Sequence, residues 1–511
     1  MSPRTARRSA PAQAVLKSPT GIQGLDEITG GGLPLGRPTL VCGGPGCGKT
    51  ILGMEFLVNG ARQFGEPGVF LSFEETVEDL TSNFASLGLD PRPLSARKQI
   101  ALDYVKLERH EIQETGAYDL EGLFIRLGHA IDAIGAKRVV LDTVETLFAG
   151  LSQTSLLRAE LRRLFNWLRE KGVTAIVTGE RGESGITRHG LEEYITDCVI
   201  LLDHRVVDQN ATRRLRVVKY RGSTHGANES PFFIDGRGIS VLPIASLGLH
   251  HRVGSGRLST GVPDLDKMMG GKGYFRGSSI LVSGSAGTGK TSLAGYFVNA
   301  ACLRGESSLY FAFEESGAQI MRNLRSIGLD LEPSRRKGLL EVHAARPTTS
   351  GLEGHLLAMH RLIEERRPSV VVVDPISNLI SVGTSVEVKA MLARLIDFMK
   401  VRQMTALFTS LTTDEGYPEG TDVGISSFMD TWLVLRNIEA NGERTRTLDV
   451  LKSRGMAHSN QVREFVLTSR GLRLLDVVRH QGRVLVGSER AAHTHDASAA
   501  AGKPARREAR R

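Results

Sequence analysis

The chain has 511 residues, 41% of them hydrophobic and 5% aromatic, and a net charge of +9. That length exceeds one ordinary core, the composition suits a soluble α/β protein, and no apolar run approaches a membrane span. The charge does not indicate a nucleic-acid binder, because residues 1–17 carry +4 and residues 489–511 carry +3, which leaves the body at only +2.

Residues 1–16 hold Arg4, Arg7 and Arg8 without an apolar stretch, so they read as a disordered basic tail and not as a secretory signal. Thr39–Cys42 predicts a short buried strand. It enters Gly43-Gly44-Pro45-Gly46-Cys47-Gly48-Lys49-Thr50, which matches the P-loop pattern. Glycines let successive peptide N–H groups approach phosphate oxygens where a side chain would collide, and the following helix points its N-terminus at the same anion. Lys49 is expected to neutralise the β and γ phosphates of ATP, and Thr50 to ligate Mg²⁺. Val69–Phe73 predicts a second strand with Glu74-Glu75 at its end. Adjacent residues on an extended chain point to opposite faces, so one of the pair could orient a water or take a proton at a γ-phosphate. Val139–Leu141 ends at Asp142, which has the Walker-B placement beside the metal. Leu157, Leu161, Leu164, Phe165 and Leu168 mark one helical face, and Thr174–Val177 and Cys198–Leu202 are further strands. The alternation predicts a mostly parallel sheet flanked by helices, a RecA-like arrangement. Lys219-x-Arg221-Gly222 follows a basic, β-rich stretch and places cations where they could reach a neighbouring subunit's phosphates.

These landmarks then recur. Gly284-Ser285-Ala286-Gly287-Thr288-Gly289-Lys290-Thr291 repeats the P-loop, with Lys290 lying 241 positions after Lys49. Gly21–Asp26 returns as Gly261–Asp266, and Glu74-Glu75 as Glu314-Glu315, both at an offset of 240. Asp142 returns as Asp374 at 232, and Lys219 and Arg221 return as Lys452 and Arg454 at 233. The order never varies, so the chain is a duplicated domain with one deletion. The expected domains are 17–245 and 257–485, with a linker at 246–256 and a second disordered basic tail at 486–511. Cys42, Cys47, Cys198 and Cys302 form no CxxC pair, which fits a reducing cytoplasm; Cys42 and Cys47 read as small packing residues.

With those residues in place, roughly residues 17–485 resemble the KaiC family of circadian-clock ATPases. Two tandem P-loops, Phe-Glu-Glu-Thr and Phe-Glu-Glu-Ser after strands, Lys-x-Arg-Gly late in each domain, and Gly424-Ile-Ser-Ser-Phe-Met-Asp-Thr431 carry the resemblance. It implies a two-tiered homohexamer with ATP at subunit interfaces, slow ATP hydrolysis in the first ring, and Ser/Thr autokinase with dephosphorylation in the second. It implies that Glu74 and Glu75 activate water, and that Glu314, beside Glu315, is the base for phosphotransfer. Ser426 and Ser427 stand as phosphoacceptors with Thr421 as an auxiliary site. Lys219, Arg221 and His225 stand as trans-acting contacts of the first ring, and Lys452 and Arg454 as those of the second. The second acceptor is Ser where the family's clock protein has Thr, and the C-terminal tail does not match the segment that engages the clock's activating partner. Two other readings of the same core are a RecA/RadA-like DNA-dependent ATPase and an ATP-assembled scaffold. The body's small charge opposes the first, and the intact Glu pairs oppose the second.

Overall fold

The computed structural model describes residues 15–106, 120–148, 154–182, 196–207, 210–242, 254–412, 424–440, 443–476, 478–480, 483–485, 487 and 490. The chain divides into two compact units, residues 1–246 and 247–511.

In the first unit β1 (Lys17–Ser18) pairs with β2 (Leu33–Pro34) as a short ribbon. Nine strands make the main sheet: β3 (Pro38–Gly43), β4 (Gly68–Ser72), β5 (Ile100–Tyr104), β6 (Arg138–Asp142), β7 (Thr174–Glu180), β8 (Cys198–Val207), β9 (Asn210–Tyr220), β10 (Ser230–Asp235) and β11 (Gly238–Val241). Their order is β11-β10-β9-β8-β3-β7-β6-β4-β5. From β8 to β5 the neighbours run parallel, and β9 to β11 fold back antiparallel. The parallel strands are apolar on both faces because helices cover both. Val41, Phe70, Val140 and Ile176 pack with the helices Lys49–Phe64 and Val77–Ser86. The alternating residues Val69, Leu71, Val139, Leu141, Ala175 and Val177 join a second core with the helices Glu121–Ile134 and Thr154–Glu170. Within it Leu161, Leu164, Phe165 and Leu168 are fully buried, as their helical spacing predicts.

The second unit repeats the plan. A ribbon of β12 (Arg257–Leu258) and β13 (Tyr274–Phe275) precedes β14 (Ser279–Gly284), β15 (Ser308–Ala312), β16 (Leu340–Ala344), β17 (Val370–Asp374), β18 (Thr405–Leu411), β19 (Thr431–Ala440), β20 (Glu443–Ser453), β21 (Arg463–Thr468) and β22 (Gly471–Leu474). The order is β16-β15-β17-β18-β14-β19-β20-β21-β22, which is the first sheet's order strand for strand. A last hairpin joins β23 (Val478–His480) to β24 (Arg483–Leu485). Ile100 of β5 corresponds to Leu340 of β16 at an offset of 240, and Arg138 of β6 to Val370 of β17 at 232. The first unit's extra residues therefore lie between Tyr104 and Arg138. Among the described residues no helix is long and apolar enough to cross a membrane.

Two expectations are corrected. Strand β4 stops at Ser72 and β15 at Ala312, so Glu74-Glu75 and Glu314-Glu315 do not sit on extended chain. The N–H groups of Glu74 and Glu75 turn back onto the Ser72 hydroxyl, at 3.4 and 3.0 Å. Strand β8 runs on past Leu202 through Asp203, His204 and Arg205, polar residues that an apolar run cannot reveal. The expected linker lies largely outside the described residues, as does most of both tails.

Candidate nucleotide sites

Each P-loop leaves the carboxyl end of a central parallel strand and opens a helix, Lys49–Phe64 after β3 and Lys290–Leu303 after β14. Gly48 and Gly289 precede those helices at φ 105 and 102, a left-handed conformation that favours glycine. A Cβ at Gly48 would stand 2.6 Å from Ile234 Cδ1, and one at Gly289 would stand 3.0 Å from Phe465. Lys49 Nζ donates to the carbonyls of Gly43 (2.9 Å) and Gly44 (3.1 Å). Lys290 Nζ donates to Gly284 and Ser285, both at 2.8 Å. The two ammonium groups are thus drawn over the loop they serve, and burial holds the Lys290 amine below its ordinary value. Cys47 is buried with its sulfur against Gly43.

The strand-terminal aspartates stand beside the loop threonines. Thr291 Oγ1 donates to Asp374 Oδ2 at 2.9 Å, and the Thr50 hydroxyl stands by Asp142, where it favours the carboxylate. Burial pushes the Asp142 carboxyl above the usual range. Thr178 on β7 also donates to Asp142, and Thr409 on β18 and Tyr310 on β15 donate to Asp374. Hydroxyls from the flanking strands therefore fix each carboxylate's orientation. Among the described residues no three His, Cys, Asp or Glu side chains gather into a metal site. One hydroxyl and one carboxylate, both hard oxygen donors, suit Mg²⁺, which keeps several waters and takes phosphate oxygens.

The glutamate pairs diverge from their turns. Glu74 Oε1 accepts from Thr143 Oγ1 (2.6 Å) and Thr146 Oγ1 (3.0 Å), just past Asp142, so Glu74 is held on the Walker-B side. Glu75 accepts from Asn83 at 3.1 Å, and Glu315 accepts from Asn323 at 2.8 Å, each on the next helix. Glu314 is exposed.

The late cations lie elsewhere. Lys219 is opposite Val199 and Lys452 opposite Trp432, in rows at the amino ends of β3 and β14, whereas the P-loops leave the carboxyl ends. Arg221 N–H donates to Asp197 O at 2.8 Å, and its guanidinium is 3.8 Å from the Asp197 carboxylate. The His225 ring stacks on Tyr220 at 6.5 Å between centroids. In the second unit Ser426–Phe428 forms a 3-10 turn directly before β19. Lys452 Nζ donates to Ser426 O at 3.1 Å and Arg454 Nη2 to Ser427 O at 2.8 Å. Burial, with Arg454 alongside, lowers the Lys452 amine. Asp430 anchors the turn through Ser279 N–H (2.9 Å) and Lys400 (2.8 Å), which hold its carboxyl below its ordinary value against the opposing effect of burial. The turn thus sits at Ser279. Gly284 is five residues along the same strand, a rise of about 17 Å. Thr421 lies outside the described residues.

The sequence profile described as "ATPase: KaiC" matches residues 18–246 and again 258–478. The chain belongs to the KaiC ATPase family. It is 57% identical over 479 residues to "Circadian clock protein KaiC2" of Synechocystis sp., a match covering 93% of this chain and 84% of that protein. It is 37% identical to "Circadian clock oscillator protein KaiC" of Synechococcus elongatus, over 93% of this chain and 92% of the other. The KaiC of Parathermosynechococcus lividus matches at 37%, over 93% and 88%. Membership makes ATP the ligand of these KaiC-type loops. Sequence reading missed the supports of the site: Thr178, Thr409 and Tyr310 at the aspartates, Thr143 and Thr146 at Glu74, and Lys400 at Asp430. A polar residue inside an otherwise apolar strand, as at Thr178 and Thr409, is the signal that could have found two of them.

Proposed function

We propose that this chain is a Mg-dependent KaiC-type ATPase that hydrolyses ATP in its first domain and phosphorylates itself on Ser426 or Ser427 in its second. It works as a homohexamer in a reducing cytoplasm and signals through its phosphorylation state, in keeping with the circadian-clock names of the proteins it is similar to. Mg²⁺, held by Thr50 and Asp142 or by Thr291 and Asp374, would neutralise β- and γ-phosphate charge. Lys49 and Lys290 would exchange their carbonyl partners for phosphate oxygens. Glu74, oriented by Thr143 and Thr146, would align the water that attacks in the first domain, with Glu75 beside it. In the second, Glu314 would take the proton of the attacking serine Oγ as the new O–P bond forms and ADP leaves, with Glu315 alongside.

One observation carries the inter-subunit part: the acceptor turn, Lys452 and Arg454 sit at the edge of the sheet opposite their own P-loop. A serine there cannot reach its own γ-phosphate, so the transfer runs between neighbours, with Lys219, Arg221 and His225 playing the corresponding trans role in the first ring. Thr421 is a candidate auxiliary acceptor. A Kai-type signalling partner fits this reading; DNA does not.

Incubation with γ-labelled ATP is expected to mark Ser426 or Ser427, as read by mass spectrometry. Glu314→Gln should abolish the label while bound nucleotide is retained. Full labelling of that variant would remove Glu314 from its role.

A further inference from the structure

Glu55 lies on the helix that opens at Lys49, less than two turns past the P-loop, and it is 5% exposed. Its Oε2 accepts the N–H of Ile239 at 2.6 Å. The neighbouring Gly238, at φ 96, leaves room for that carboxyl, because a Cβ there would be 2.6 Å from Oε2. Gly238 and Ile239 begin β11, the second strand of the hairpin with β10. The same hairpin carries Ile234, the side chain packed on Gly48 of the P-loop. Glu55 therefore ties the P-loop helix to the hairpin that backs the P-loop.

The second unit builds this tie with different chemistry. Tyr296, which occupies the place of Glu55, accepts the N–H of Leu472 through its hydroxyl at 3.0 Å, and Gly471 at φ 120 makes room for it. Phe465 and Leu467 of that hairpin back Gly289. The two ties match residue for residue, and a carboxyl in the first unit replaces a phenol in the second.

We propose that Glu55 is a proton-sensitive latch between the P-loop helix and the β10–β11 hairpin, and that it makes the first nucleotide site, and not the second, responsive to pH. Burial pushes the Glu55 carboxyl up to about 7. Asp235 on β10 adds to that rise through its negative charge, whereas the Ile239 N–H and Asn59, one turn along the helix, stabilise the carboxylate and oppose it. The folded group thus keeps its proton where an unfolded glutamate, at about 4.3, has lost it. The tie is strongest on the acid side. It weakens as pH rises towards about 7 and levels off above, where the carboxyl is ionised in the closed and the open state alike.

The test is amide exchange on the full-length chain from pH 5.5 to 8, corrected for intrinsic rates. Protection of residues 238–241 is expected to fall by up to about tenfold per pH unit below about pH 7, then to flatten. Residues 471–474 of the same molecule should show no such fall, a control that needs no variant. Glu55→Gln, a neutral acceptor of the same shape, should hold 238–241 level throughout. The same fall in both segments, or in both proteins, overturns the latch. The half-saturating ATP concentration for hydrolysis should rise over the same interval in the native chain and stay level in Glu55→Gln. A fall in protection without that rise overturns the coupling to the P-loop and leaves ATP binding itself untouched.

Discussion

At Gly48 the backbone sits at φ 105, and a Cβ would meet Ile234 at 2.6 Å, so Gly48→Ala meets a conformational penalty and a clash together. The left-handed conformation alone costs an alanine about 1–2 kcal/mol, enough to weaken first-site ATP binding about tenfold. Filter binding should show bound nucleotide falling from two per chain towards one at an ATP concentration that just saturates the native chain. The cysteines give a second residue-scale outcome. All four are buried, and burial pushes the Cys198 thiol up to about 12 and raises those of Cys47 and Cys302. Because the thiolate is the reactive form, maleimide at pH 8 should label none of them in the native protein and all four after denaturation. The loop lysines, threonines and aspartates were legible from sequence, since phosphate chemistry fixes both their types and their spacing. Glu55 was not legible: a lone glutamate in a helix gives no hint that a strand amide 184 positions later will be its partner.

The two copies of the fold solve one packing problem differently at the level of elements. In β6 Arg138 is fully buried, donating to Phe56 O and Pro19 O at 2.8 Å and to Glu66 at 2.6 Å. It fits because Gly60 on the P-loop helix has no side chain: a Cβ there would be 2.5 Å from Arg138 Cδ. In the second unit the corresponding residues are Val370 and Ala301, both core members. Gly60→Ala should therefore destabilise the first unit by about 1–3 kcal/mol through overpacking, read as a lower urea midpoint. Adding Arg138→Val, the second unit's pairing, should recover part of that loss; purely additive losses would refute the coupling. Strand and helix identities were legible because parallel strands covered on both faces read as apolar runs. The ends were not. Strand β8 continues through Asp203 and Arg205, held by backbone pairing with β9 that hydropathy does not report. The turn at Glu74-Glu75 rests on the Ser72 hydroxyl, which Ala312 in the second unit does not supply.

Duplication was the most legible feature of the whole molecule, because the same chemistry met twice, in the same order and at a nearly constant offset, does not arise by chance. That the late cations serve a neighbouring copy was read from their repetition, but that they and the Ser426–Phe428 turn lie at the edge opposite the P-loop was not, since the direction of β20 relative to β14 is a matter of topology. That placement makes a prediction about mixtures. Subunits carrying Glu314→Gln keep their serines, and subunits carrying Ser426→Ala with Ser427→Ala keep Glu314, the proposed base. Neither should label itself, but after subunit exchange the Glu314→Gln chain should acquire phosphate, resolved by a mass tag. Label absent from every mixture that does exchange would place the transfer within one chain.

The Ser426–Phe428 turn at Ser279 and the P-loop beyond Gly284 also set a rule of counting. If every junction joins the leading rim of one copy to the trailing rim of the next, an open row of n copies completes n − 1 junctions and strands half a site at each end. Only a closed circle leaves no copy idle, so dilution below the closure threshold should extinguish turnover more steeply than simple dissociation of pairs would.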